Sequence, residues 1–144
     1  MNWTIRHARV EDTPVLEEIE RACFRHDPWI AADFLKRHCL VAEVDGRVVG
    51  FLVEREVYPG SDLQPPEREI LNLAVLPRYR GMGIGRALLE QEMHAPGIYY
   101  LEVRESNLTA QRLYRHVGFE EVGRRPYYYQ APKENAIVMR MERC

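Results

Sequence analysis

The stretch from Ile70 to Leu89 leaves this chain the fewest choices of fold. It opens with Ile70-Leu71-Asn72-Leu73-Ala74-Val75, an apolar run of strand length, and Pro77 ends that run. Arg78-Tyr79-Arg80-Gly81-Met82-Gly83-Ile84-Gly85 follows as a basic, glycine-rich turn, and from Ile84 onward the apolar residues take helical spacing. A strand that runs into such a turn and opens a helix is a recipe for holding phosphate. The turn amides have no intrahelical partners, they point outward, and the helix dipole adds partial positive charge. Gly81, Gly83 and Gly85 let a bulky anion come close to the backbone. Arg78, Arg80 and Arg86 supply guanidinium donors suited to a pyrophosphate.

The spacing excludes the commonest phosphate loops. A P-loop needs Gly-x-x-x-x-Gly-Lys-Ser/Thr, but Arg86 and Ala87 follow Gly85, so the lysine and the Mg²⁺-binding hydroxyl are missing. The dinucleotide fingerprint fails too, because Arg86 stands where its third glycine belongs. Arg80-x-x-Gly83-x-Gly85 instead resembles the Arg/Gln-x-x-Gly-x-Gly/Ala signature of the GNAT N-acetyltransferases, whose turn binds the pyrophosphate of acetyl-coenzyme A. A tight strand-to-helix connection is the plain alternative; the Val75-x-Pro77 lead-in and the helical continuation favour the family.

At 144 residues the chain has the size of one domain, which buries about two-thirds of its unfolded surface. A formal net charge of −2 argues against nucleic acid as the main partner. No apolar run approaches the roughly 18 residues of a membrane span, and the start, Met1 to Arg6, lacks a signal-peptide core. Cys23, Cys39 and Cys144 share no metal or redox spacing, so no metal is expected, and their odd number suits a reducing, cytoplasmic setting. Cys23 and Cys39 read as small core residues.

Along the chain, Trp3–Ala8 reads as a strand and Glu11-Asp12-Thr13-Pro14 as a helix start, with Val15, Ile19, Ala22 and Cys23 as the buried face. Asp27-Pro28-Trp29 breaks that helix, and residues 31–37 read as a second, short one. Leu40–Val44 and Val48–Val57 flank the hairpin signal Asp45-Gly46. Tyr58–Pro66, with its prolines and glycine, is a loop placed to serve as a substrate-facing flap. Strand Glu67–Leu76, helix Ile84–His94, strand Ile98–Arg104 and helix Asn107–Val117 follow, the last with Ala110, Leu113, Tyr114 and Val117 on one face and Gly118 as its stop. Phe119–Gly123 and Asn135–Met141 read as a last strand pair joined by Arg124–Tyr129. The fold class is α/β: one domain over residues 1–144, with a mixed, mostly antiparallel sheet flanked by helices, in the element order of the GNAT family.

Further blocks resemble the bacterial RimI-type branch, which acetylates the N-terminal alanine of a small-subunit ribosomal protein. They are Glu20-x-x-Cys23-Phe24 with Pro28-Trp29, Glu69-Ile70-Leu71-Asn72-Leu73-Ala74-Val75, Leu101-Glu102-Val103-Arg104-x-x-Asn107, Leu113-Tyr114-x-x-x-Gly118-Phe119, and Arg125-x-x-Tyr128-Tyr129 followed by Asn135-Ala136-Ile137-Val138-Met139. Asn135 departs from the branch, which usually shows Asp there. The resemblance implies acetyl-CoA as co-substrate. It implies that the backbone of Leu73, Ala74 and Val75 pairs with the pantetheine arm and that Gly81, Met82, Gly83, Ile84, Gly85 and Arg86 hold the pyrophosphate. Asn107 would bond the cofactor chain, although as a helix cap it has a structural role as well. Glu102 would be the base and Tyr114 the acid. Glu69 competes as base, since lysine-directed relatives place theirs at that offset.

Acetyl transfer from a thioester needs a neutral amine, a proton for the leaving thiolate and a donor for the oxyanion. An α-amine with a pKa near 8 is about one-third neutral around pH 7.5, whereas a lysine amine is neutral about one time in a thousand. A peptide-terminus acetylase therefore works with a modest base. Glu102 lies between Leu101 and Val103 in an apolar strand, and a dry carboxylate there would be raised toward neutrality. The plain alternative pairs it with Arg104 or Arg112. Tyr114 has the alternative of a core tyrosine, and Tyr127, Tyr128 and Tyr129 form either a strand-edge cluster or one wall of a peptide groove. His94 and His116 read as solvated. The expected acceptor is a protein N-terminus; a lysine or small amine, or an idle acyl-CoA-binding module, are the alternatives, and the oligomeric state is not legible.

Overall fold

The computed structural model describes residues 2–24, 37–130 and 132–144. Among them the strands are β1 (Trp3–His7), β2 (His38–Val44), β3 (Arg47–Tyr58), β4 (Glu67–Val75), β5 (Gly97–Arg104), β6 (Glu120–Gln130) and β7 (Lys133–Arg143). The helices of α type are α1 (Thr13–Cys23), α2 (Ile84–Glu92) and α3 (Leu108–Val117). The strands form a mixed sheet in the order β1-β2-β3-β4-β5-β7-β6. β4 runs parallel to β5 over Glu67–Ile70, and the pairs β1–β2, β2–β3, β5–β7 and β6–β7 are antiparallel. The short helix expected over residues 31–37 and the Pro28-Trp29 block lie outside the described residues, apart from Arg37, which is a bend. Among the described residues no helix is long and apolar enough to cross a membrane.

The chain divides into two compact units. The first comprises Met1–Arg55 and Leu71–Glu92. Its hairpin turns at Asp45 and Gly46, with φ of 52° and 80°, the primed geometry that matches strand twist. Val48 to Glu54 of β3 are buried without alternation, as in a strand covered on both faces. Leu16 and Ile19 of α1 join Val41, Phe51 and Val53 in the core. The expected α1 face is therefore corrected: Leu16 and Glu20 are buried, while Ala22 is exposed. Glu20 is accepted inside because its carboxylate receives the Asn72 amide at 3.4 and 3.5 Å. Helix α2 buries Ile84, Leu88, Leu89 and Glu92 and packs on β1 and β2. On β3, a Cβ at Gly50 would lie 2.9 Å from the Ala74 carbonyl oxygen of β4 and 3.2 Å from Val75 Cγ2.

Arg6 ties β1 to the turn before α1. It donates to both Asp12 oxygens at 2.8 and 2.9 Å and to Glu43 at 2.7 Å. The guanidinium holds the Asp12 carboxyl below its ordinary value; burial opposes this, and the Arg9 amide adds to it. A depressed carboxylate contributes stability above its unfolded pKa and loses it as pH falls through the folded one. Asp12→Asn should lower stability by about 1–2 kcal/mol at neutral pH, allowing for partial exposure. The gap between variant and parent should close below about pH 4. Urea unfolding of both proteins across pH tests this, and a constant gap would remove the ion pair from the account.

The second unit comprises Glu56–Ile70 and Met93–Cys144. β5 alternates strictly, with Tyr99, Leu101 and Val103 buried and Tyr100, Glu102 and Arg104 half-buried. In α3 the expected face of Ala110, Leu113, Tyr114 and Val117 is half-buried, and the fully buried residue is Gln111, whose amide donates to the carbonyls of Arg104 and Glu105. Gly118 ends α3 in the left-handed conformation. The last strand pair is longer than expected. Arg124–Tyr129 is part of β6 rather than a connection, because β6 is the edge of the sheet, where Pro126 costs no ladder bond.

Candidate active site

In the first unit, the β4–α2 turn has the geometry its glycines suggest. Gly81 and Gly83 have φ of 77° and 89°; a Cβ on Gly81 would meet nothing within 4 Å, and one on Gly83 only Trp3 at 3.8 Å. The backbone there is open on its outer side, as an anion cradle requires. The arginines divide their work. Arg80 folds back, its Nε donating to the Val75 carbonyl at 2.8 Å and its Nη2 lying 3.5 Å from Cys23 Sγ. Arg86 Nε donates to Glu90 one turn on at 2.7 Å, and Arg78 lies over the Tyr79 ring at 5.6 Å. Arg80 thus fixes the strand end from which the turn departs, a role that sequence reasoning missed. Burial pushes the half-buried Cys23 thiol up, against the opposing pull of Arg80. Elsewhere in this unit His38, Glu54 and Glu92 have ligand atoms within 4.8 Å of one another; Glu92 Oε1 lies 3.5 Å from His38 Nδ1, with both glutamates buried and His38 exposed.

In the second unit, Glu102 of β5 faces the edge strand β6. Its carboxylate, 12% exposed, lies 3.4 Å from Arg125 Nη2. It is therefore neither dry nor paired with Arg104 or Arg112. Arg104 instead reaches Glu134 at 3.2 Å and the Pro132 carbonyl at 2.8 Å, with its guanidinium 4.2 Å above the Tyr129 ring. Tyr128, on the same strand as Arg125, lies beside the Arg125 guanidinium, its ring centre 5.4 Å away. Burial raises its hydroxyl first, then its hydrogen bond to Glu102 and the charges of Glu102 and Glu69, while Arg125 lowers it. Glu69, on β4, is in register with Tyr100 of β5 and so shares a face of the sheet with Glu102. Burial also pushes Tyr129 up, with the Glu102 charge second. Tyr128 and Tyr129 pack edge to face at 5.1 Å.

Tyr114 keeps part of its surface accessible, yet its hydroxyl is enclosed closely enough that burial alone pushes it up to about 12. Its ring packs edge to face on Phe119 at 5.9 Å. Asn107 caps α3, its Oδ1 accepting from the Ala110 amide at 3.1 Å. Asn135, the departure noted in the sequence, accepts from the Tyr127 amide at 3.0 Å and donates to Glu105 at 3.3 Å. A carboxylate could not make that second bond. His94 and His116 are exposed.

Residues 3–119 match the Acetyltransferase (GNAT) family. The chain belongs to the GNAT N-acetyltransferases. It is 36% identical over 153 residues to an N-alpha-acetyltransferase of Sulfurisphaera tokodaii, covering 95% of this chain and 91% of that protein. To N-alpha-acetyltransferase RimI of Mycobacterium tuberculosis it is 36% identical over 124 residues, covering 81% and 77%. An uncharacterized protein of Mycobacterium leprae is 40% identical over 87% of this chain, which spans 36% of that protein's length. The crystal structure of the ribosomal-protein-S18-alanine N-acetyltransferase from Escherichia coli shares the fold with a TM-score of 0.83 at 28% identity, covering 98% of this chain and 94% of that one. The GNAT match stops before β6 and β7, which carry Arg125, Tyr128 and Asn135.

Proposed function

We propose that this GNAT protein transfers the acetyl group of acetyl-CoA to the N-terminal α-amine of a protein in the cytoplasm, by direct attack in a ternary complex with no covalent enzyme intermediate. The acceptor is the N-terminal alanine of a small-subunit ribosomal protein, a reading supported by the name of the E. coli relative. The turn Gly81–Arg86 would hold the pyrophosphate. The backbone of Leu73, Ala74 and Val75 would take the pantetheine arm, with the Val75 carbonyl engaged by Arg80. Asn107 would bond the cofactor chain, and Tyr114 would donate to the leaving thiolate. The observation that carries the substrate class is the setting of Glu102, partly open to water and facing Arg125. A carboxylate so placed suits an amine that is already substantially neutral, taking its proton directly or through one water.

A lysine or small-amine acceptor is the second reading, favoured by the ladder register that sets Glu69 of β4 opposite Tyr100, on the same face of the sheet as Glu102. Glu102→Gln and Glu69→Gln separate the two. For an α-amine enzyme, Glu102→Gln lowers turnover and moves the rising limb of the pH profile upward, and much of the loss returns by about pH 9, where an α-amine is mostly neutral. Glu69→Gln then raises KM for the peptide at nearly constant kcat. The reverse pattern transfers the base to Glu69 and the acceptor to lysine. No turnover with any amine, despite tight acetyl-CoA binding, would make the chain a binding module.

A further inference from the structure

The ladder between β6 and β7 is interrupted opposite Asn135. Arg125 pairs with Ala136 and Tyr129 with Glu134, so Pro126, Tyr127 and Tyr128 together face Asn135 alone. The bulge matters because of side-chain parity. On a regular strand, residues three apart point to opposite faces, so Arg125 and Tyr128 would part company. Here they stay together: Arg125 Nη2 lies 3.4 Å from the Glu102 carboxylate, and its guanidinium is 5.4 Å from the centre of the Tyr128 ring. The bulge is held at an unfavourable residue. Tyr127 has φ of 51°, a left-handed conformation rare for a bulky side chain, and Pro126 before it offers no amide.

What holds it is visible. Asn135 Oδ1 accepts the Tyr127 amide at 3.0 Å, in place of a ladder bond. Asn135 is itself fastened twice to the end of β5: its Nδ2 donates to Glu105 Oε2 at 3.3 Å, and its carbonyl accepts from the Glu105 amide at 3.1 Å. Arg124 braces Glu105 from β6 at 2.9 Å. We propose that Asn135 is a positioning residue for acetyl transfer, its side chain holding the β6 bulge that keeps Tyr128 beside Arg125 on the face of the Glu102 carboxylate. The inference rests on the reading of Glu102 as the base. The groups facing Tyr128 are Glu102 from β5, Glu69 from β4, and Arg125 and Tyr129 from its own strand.

Asn135→Ala removes the acceptor. Asn135→Asp keeps it and loses only the donor, with Arg124 available to absorb part of the repulsion from Glu105. Peptide kinetics and ultraviolet titration of the tyrosines, with Tyr128→Phe identifying the Tyr128 signal, test the proposal. In Asn135→Ala, kcat/KM for the peptide should fall about 10- to 100-fold, the scale of an ångström-sized misplacement. Acetyl-CoA affinity should hold, and Tyr128 should titrate at lower pH than in the parent. Asn135→Asp should restore the Tyr128 titration and most of kcat/KM. Parental behaviour of Asn135→Ala overturns the proposal, and so does lost activity with an unmoved Tyr128 titration. If the alanine variant does not fold, Asn135→Asp decides: early titration of Tyr128 there overturns it. Full turnover in Glu102→Gln would refute the base instead, leaving the Tyr128 titration to judge Asn135 by itself.

Discussion

Tyr114→Phe should slow acetyl transfer by about 10²- to 10⁴-fold, the range for losing a positioned acid. The ring's edge-to-face packing on Phe119 survives the change, so stability at neutral pH should move by about 1 kcal/mol or less. Acetyl-CoA affinity should be nearly unchanged. Because burial pushes the Tyr114 hydroxyl up to about 12, it keeps its proton at every pH where the enzyme works. The parent should therefore show no falling limb from Tyr114 between neutral pH and about pH 11. Stability carries a second signature. A tyrosine pKa raised by folding means that the native state holds its proton longer than the unfolded chain, so stability falls as pH rises through the ordinary value near 10. The phenylalanine variant should lose less between pH 10 and 12. Full turnover in Tyr114→Phe would leave Tyr114 as an ordinary packing residue.

Gly83→Asp should abolish measurable acetyl-CoA binding. At φ of 89° any side chain is strained, while space is not the obstacle, since the added Cβ would meet only Trp3 at ordinary distance. Strain and charge can therefore be separated. Gly83→Ala carries the strain alone, about 1–2 kcal/mol, and should weaken binding by roughly tenfold. Asp adds a negative charge where the pyrophosphate should lie and should go well beyond that. The turn is exposed, so the strain should lower the melting temperature by about 2–8 °C in either variant without unfolding the protein. Calorimetry showing near-parental affinity in Gly83→Asp would place the anion elsewhere.

The two units differ in how much of them the sequence makes legible. Strands, the Asp45-Gly46 hairpin and the glycine turn are local features, written in spacing and turn chemistry, and they stand as expected. The α1 face was misread because a glutamate is normally kept out of a core pattern. Glu20 is inside by virtue of Asn72, a partner far along the chain that periodicity does not register. The Arg124–Tyr129 segment was misread for the opposite reason: Pro126 signals a break unless the strand is known to lie at an edge. Glu102, Tyr114 and Glu69 lie in the strand, helix and strand to which the spacing assigns them. The partner of Glu102 was not legible, because Arg125 comes to the Glu102 face only after the ladder has shifted by one residue between Glu121 and Gly123, upstream of the bulge opposite Asn135. A sequence pattern records residue types, whereas that pairing depends on a count of residues between two ladder pairs.

Gly50 gives the fold a point of vulnerability that no inventory of ligand-touching residues would include. A methyl group there would press 2.9 Å from the Ala74 carbonyl oxygen, against backbone that cannot swing aside. The strand on which the acetyl carrier would rest is thus kept in place by a missing atom on its neighbour. Ordinary sequence drift can exchange one β3 side chain for another of similar size, but it has no small step available at this position.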